Sequence, residues 1–148
     1  MEKKLHTYKE LLICNKKRKI LYISPTYKGK EHDYSLLQKE FPPSQPWFAN
    51  FVVRLDLGFQ GFAELYPCQQ LHIPIKRKRT PKGVSNQLTQ QQKQHNKQKS
   101  KERIYVEHSI GGMKRYRILV NRNRLKSPSV IHQTIGVCAA LWNYHLDT

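Results

Sequence analysis

At 148 residues the chain has room for one hydrophobic core and hardly two. Its 27 Lys and Arg against 10 Asp and Glu leave a formal charge of +17, a self-repulsion that points to a polyanionic partner: nucleic acid first, an anionic membrane surface second. No stretch approaches the roughly 18 apolar residues of a spanning helix, and the opening MEKKLHTYKELLIC has neither the apolar region nor the cleavage site of a signal peptide.

HTYKELLICN and KRKILYISPTYKG read as two strands of a hairpin, with the basic NKKRK as a polar turn. Gly29 then breaks the strand. Asp33 is placed to cap YSLLQKEF, a short helix that PPSQPW ends. In NFVVRLDLGFQGF, the run FVV predicts an interior strand that stops at Asp56, because Gly58 and Gly61 punctuate the chain just beyond it. A second apolar run, LHIPI, leads into the basic KRKRTPKG. From about Ser85 the chain is rich in Gln and Lys and free of Gly and Pro. NQLTQQQKQHNKQKSKERIYVEHSI therefore predicts a helix with Gly111 and Gly112 near its stop, exposed at first and packed from Arg103 onward. Residues 80–100 are thus a basic Gln/Lys-rich insert or an exposed helix, with disorder as the alternative.

MKRYRILVNRNRLKS predicts a short strand or an irregular cationic segment. The last element is a helix capped by Ser127 with Pro128 at its first position, and Val130, Thr134, Val137, Cys138, Leu141 and Trp142 recur at helical spacing as a core stripe. Cys14, Cys68 and Cys138 are scattered and form no CxxC pair, so they read as buried or incidental thiols of a reducing cytosol. The order of elements gives a mixed α/β chain.

Asp56 stands at the end of an apolar strand, where ligands bind in open α/β sheets. Glu107 lies on a helix, with Arg103 one turn earlier on the same face. Should the two acids converge, they would suit a hard divalent cation, Mg2+ or Mn2+, which prefers oxygen ligands and takes one or two carboxylates. Two such ions about 4 Å apart activate water and stabilise a leaving 3′ oxygen in phosphodiester cleavage. Lys76, Arg77, Lys78, Arg79 and Arg115 would hold the phosphate backbone. The plainer readings stay open: Asp56 as a turn residue and Glu107 as half of a surface ion pair.

The same residues carry a resemblance. KKLHTYKELLICNKK, GKEHDYSLLQK, RLDLGFQGF and RIYVEHSIGGMKRYRIL resemble, in order, blocks of the DDE transposases of bacterial insertion sequences, an RNase H-like group related to Harbinger-type elements. The last block shows the family pattern of Arg, three residues, Glu, six residues, Lys, here Arg103, Glu107 and Lys114. The resemblance implies an RNase H-like mixed sheet flanked by helices. It makes Asp56 the second metal-binding carboxylate and Glu107 the third, with Arg103 and Lys114 contacting DNA phosphate or orienting the acid. Asp33 and His32 match a block outside the catalytic set, and His108 could be structural or functional.

Two departures stand out. Ser100 occupies a place where many relatives carry Tyr, and none of the ten acids stands where the first aspartate belongs. The resemblance thus implies residues 1–148 as a partial catalytic domain lacking the first strand and first Asp. Its work would be DNA transposition by metal-dependent cleavage and strand transfer, incompetent alone. Its partners would be transposon ends, target DNA, and an upstream transposase segment or a second copy, with no membrane, in the cytoplasm on the nucleoid. The rival is a non-catalytic basic DNA-binding remnant or regulator. An RNA-binding reading rests on charge alone.

Overall fold

Pro25 carries no amide proton, so an antiparallel ladder that reaches it must break there. In the computed structural model, which describes residues 7–76, 87–102, 104–120, 125 and 127–148, the first hairpin does so. Strand β1 (Tyr8–Lys9) pairs with β4 (Tyr27–Lys28), and β2 (Leu12–Cys14) with β3 (Ile20–Ile23), both antiparallel. Between the ladders, buried Ser24 donates its N–H to the Leu11 carbonyl at 2.9 Å, while its Oγ accepts from the Leu11 N–H at 2.8 Å. Near the tip, Ile13 faces Tyr22 but Cys14 faces Ile20. Leu21 is therefore the extra residue of a bulge, turned outward and 63% exposed. The hairpin expected from the sequence is present.

Helix α1 (Asp33–Glu40) buries Leu36 and Leu37. The Leu36 N–H bonds to the His32 carbonyl at 3.0 Å, so the cap position falls on His32 and not on Asp33, as the sequence suggested. Asp33 is instead the first helical residue, where the helix dipole favours an anion, and it pairs with Lys9 at 2.9 Å. At the other end, both Tyr22 and Tyr27 hydroxyls donate to the Glu40 carboxylate, pinning α1 to the hairpin.

These bonds set a pH dependence. Burial, then the Glu40 hydrogen bond, raises the Tyr22 pKa; the Glu40 bond, then burial, pushes Tyr27 up to about 12. The folded state holds these protons more tightly than an unfolded chain, whose tyrosines titrate near about 10. The stabilisation is therefore complete below about pH 10 and lost as pH rises through about 12. Thermal melts should show Tm falling across that window. Glu40→Gln should flatten the fall and lower Tm at neutral pH.

The chain divides into two units, one of residues up to Glu40 with Tyr105 onward, the other Phe41–Ile104. In the first, the hairpin packs with α4 (Ile104–Met113, all but its first residue in this unit) and α5 (Pro128–Asp147) around Ile20, Met113, Ala139 and Trp142. A Cβ on Gly112 would stand only 2.4–2.5 Å from three atoms of the Trp142 ring, so glycine is needed for α4 and α5 to pack this closely. Helix α4 runs through both glycines to Met113, as expected. Helix α5 starts after Ser127 with Pro128 at its first turn.

The core stripe of α5 is shifted from the expected one. Ile131, Cys138, Ala139 and Trp142 are buried, whereas Val130, Val137 and Leu141 are exposed. The helix is apolar almost all round, so its spacing admits more than one inward phase. In the segment expected to be a short strand or irregular, Arg117–Leu119 forms a 3-10 turn and no strand is present among its described residues.

In the second unit, Phe41, Trp47, Phe48, Phe62 and Tyr66 form a chain of ring contacts with centroids 4.8–5.6 Å apart. The unit also holds β5 (Val52–Arg54), the short helix α2 (Phe62–Leu65) that supplies Phe62, and β6 (Gln70–His72), with β5 and β6 parallel. Phe51 and Val52 are exposed, against the interior strand that FVV suggested, because among the described residues β5 has a single partner and a two-stranded sheet leaves surface uncovered. Helix α3 (Gln90–Glu102) begins later than Ser85. Thr89 and Gln92 form a capping box there: Thr89 Oγ1 accepts from the Gln92 N–H at 3.2 Å, and Gln92 Oε1 from the Thr89 N–H at 3.0 Å. The whole is mixed α/β, with antiparallel pairing in one unit and parallel pairing in the other.

Candidate functional site

The pairing of β5 continues one residue past Arg54, where the Leu55 N–H donates to the His72 carbonyl at 2.9 Å. The chain then leaves the sheet at Asp56. Its carboxylate accepts from the Leu57 N–H at 2.6 Å and its carbonyl from the Phe59 N–H at 3.1 Å, closing a 3-10 turn. Gly61 follows at φ 94°, a conformation suited to glycine, and turns the chain into α2. Asp56 is thus exposed just past the carboxyl end of β5. The turn role that its sequence allowed is real, and it fixes the carboxylate in place.

The parallel partner β6 ends on the same side. Two residues beyond Ile73, Asn96 of α3 grips Ile75, accepting from its N–H at 2.8 Å and donating to its carbonyl at 3.0 Å. Lys76 comes next and is exposed. Lys99, further along α3, contacts His72 Nδ1. Arg77, Lys78, Arg79 and Arg103 lie outside the described residues.

Glu107 sits in the first turn of α4 on its exposed face, opposite the buried Ser109, Gly112 and Met113. Lys114, seven residues on, returns to that outward face after two turns and is also exposed. Between them Gly111 has nothing among the described residues within 4 Å of where a Cβ would stand. Arg115 is placed differently: its guanidinium lies over the Trp142 ring, 5.6 Å from the centroid, and Nη1 is 3.2 Å from His145 Nε2.

Asp56 belongs to the second unit and Glu107 to the first. Both residues are exposed, and carboxylate oxygens are the donors a hard divalent ion takes. Among the described residues no three of His, Cys, Asp and Glu gather as a complete cage. Thiol chemistry has little support, since burial raises the Cys14 and Cys138 pKa values and keeps both thiols protonated. No helix among the described residues is long and apolar enough to cross a membrane.

Sequence reasoning missed the basic tip of the hairpin as a candidate. NKKRK was visible as a turn, but nothing in it betrays that Arg18 takes φ 67°.

The sequence model of the family described as "DDE superfamily endonuclease" matches residues 1–143. The chain is also similar to "Probable transposase for insertion sequence element IS702" from Microchaete diplosiphon, at 30% identity over 146 residues. That match covers 95% of this chain and 47% of the relative, so the chain spans about half the relative's length. No solved structure matches the chain significantly.

Proposed function

Since the chain belongs to the family of DDE superfamily endonucleases, we propose that it serves DNA transposition as part of a transposase catalytic domain with RNase H-like architecture. Asp56 and Glu107 are its catalytic carboxylates. The observation that carries this reading is their placement. One acid is fixed by its own turn at the carboxyl end of a parallel strand, and the other lies on an exposed helix face in line with Lys114.

In this reading Asp56 and Glu107 hold a divalent cation, Mg2+ or Mn2+, and a third carboxylate comes from an upstream transposase segment. The ion supplies Lewis-acid activation of the attacking oxygen and stabilisation of the leaving one. The chain's own residues do the rest. The Asp56 turn keeps its oxygens from swinging away, Gly111 leaves room for a nucleic-acid backbone beside Glu107, and Lys114, Arg103, Arg115 and the basic run from Lys76 to Arg79 bind phosphates of transposon-end and target DNA. Residues 80–100 then form an insert that carries part of this charge. Assembly with a second copy would bring the two transposon ends together.

The +17 charge supports a second reading, a DNA-binding module without catalysis. The two are separated by incubating duplex DNA bearing the element's ends with the chain, with and without the upstream segment, in Mg2+ or Mn2+. Metal-dependent nicking by the combined form is the expected result. Salt-sensitive binding without nicking in the combined form selects the non-catalytic reading, and the absence of both removes the two together.

A further inference from the structure

The hairpin tip between β2 and β3 is built more firmly than a solvated turn requires. Asn15 closes it three ways: its N–H donates to the Lys19 carbonyl at 3.0 Å, its carbonyl accepts from the Arg18 N–H at 2.9 Å, and its Oδ1 accepts from the Lys19 N–H at 3.0 Å. This is a three-residue loop, Lys16–Lys17–Arg18, whose last residue takes the left-handed conformation at φ 67°. Glycine or asparagine is the ordinary occupant of that position, because any larger side chain is strained there.

The strain is enforced from below. The Arg18 carbonyl accepts from Ser109 Oγ at 2.8 Å and from Trp142 Nε1 at 3.0 Å, one donor from α4 and one from α5. Asn143 brackets Ile20 with two bonds of 2.8 Å, and Lys19 pairs with Asp147 at 2.6 Å. The backbone of the tip is therefore clamped to two helices while the side chains of Lys16, Lys17 and Arg18 are exposed. Arg115 lies over the Trp142 ring whose N–H holds the Arg18 carbonyl, adding a fourth cation to the cluster.

Three adjacent cations on exposed side chains repel one another. That cost is recovered where a polyanion binds. We propose that the Lys16–Lys17–Arg18 tip is a rigid contact for the phosphate backbone of duplex DNA, which positions the duplex and takes no part in the chemistry. Ser109 lies on the side of α4 opposite Glu107, so the tip grips DNA about one helix diameter, ~10 Å, or more from that carboxylate. The inference rests on the reading of the chain as a DNA-acting protein and adds to it residues that the family pattern does not single out.

The test uses the 148-residue chain and a fluorescein-labelled duplex, with anisotropy read across a salt series and melting followed in parallel. For Arg18→Gly the expected result is a several-fold weaker affinity, a log–log salt slope shallower by about 0.9, and a melting temperature no lower than that of the unaltered chain. Lys16→Gln with Lys17→Gln should make the slope shallower by about 1.8 and leave melting unchanged. Affinity and slope that stay as in the unaltered chain for both variants overturn the proposal and leave the transposase reading standing. A lower melting temperature for Arg18→Gly overturns it too, since Arg18 would then be holding the fold. An unaltered chain that shows no salt-dependent binding removes the DNA-acting reading and this inference with it.

Discussion

Trp142→Ala is expected to cost the first unit about 3–5 kcal/mol, the usual range for truncating a buried Trp or Phe. The side chain is only 5% exposed and lies in the core with Ile20, Met113 and Ala139. Its ring fills the space that Gly112 leaves, so the cavity opens directly against helix α4. Its N–H also supplies one of two donors to the Arg18 carbonyl, and its face supports Arg115. Domains of this size are stable by about 5–15 kcal/mol in all. At about 2–4 °C per kcal/mol, the melting temperature should drop by roughly 6–20 °C. Trp142→Phe keeps most of the volume and loses the N–H, so about 1 kcal/mol is expected from it. Circular-dichroism melts of the two variants check the argument, and equal melting for Trp142→Ala and the unaltered chain would show that the ring is not the keystone of this core.

The second large effect concerns catalysis. Glu107→Gln and Asp56→Asn are each expected to lower metal-dependent DNA cleavage by the combined protein more than about 100-fold, beyond the roughly 10- to 100-fold that loss of an outer-shell partner costs a metal site. Each exchange removes a charge while keeping shape. The choice of Asn matters, because Asp56 closes the turn to the Leu57 N–H, and an Asn oxygen accepts that bond nearly as well. Asp56→Ala would lose the cap as well and mix a stability loss of about 1 kcal/mol into the result. Both acids are exposed, so the conservative variants should melt within a degree or two of the unaltered chain. Cleavage that survives Glu107→Gln would take the carboxylate out of the reaction.

How much of this was written in the sequence varies with the kind of signal. The hairpin, α1 and the start of α5 rest on strong local chemistry, such as Pro128 after Ser127, and they were legible. The bulge at Leu21 and the capping box at Thr89 use the same residue types as many turns that form neither. The inward face of α5 was misread because Val130, Val137 and Leu141 are as apolar as Ile131 and Trp142, and only tertiary packing chooses between the phases. That the strand stops at Asp56 was legible from the glycines that follow it, whereas Glu107 and Lys114 as a pair were picked out by the resemblance alone. Whether the two carboxylates share an ion depends on long-range geometry that no local pattern encodes.

The clamp on the Arg18 carbonyl also bears on the chain's birth. Its donors, Ser109 and Trp142, come 91 and 124 positions later. A ribosome adding about 5–20 residues per second delivers them several seconds to tens of seconds after the hairpin has emerged. Through that interval the apolar side of the strands waits uncovered, and a nascent-chain chaperone is the natural tenant of the surface that α5 will later occupy.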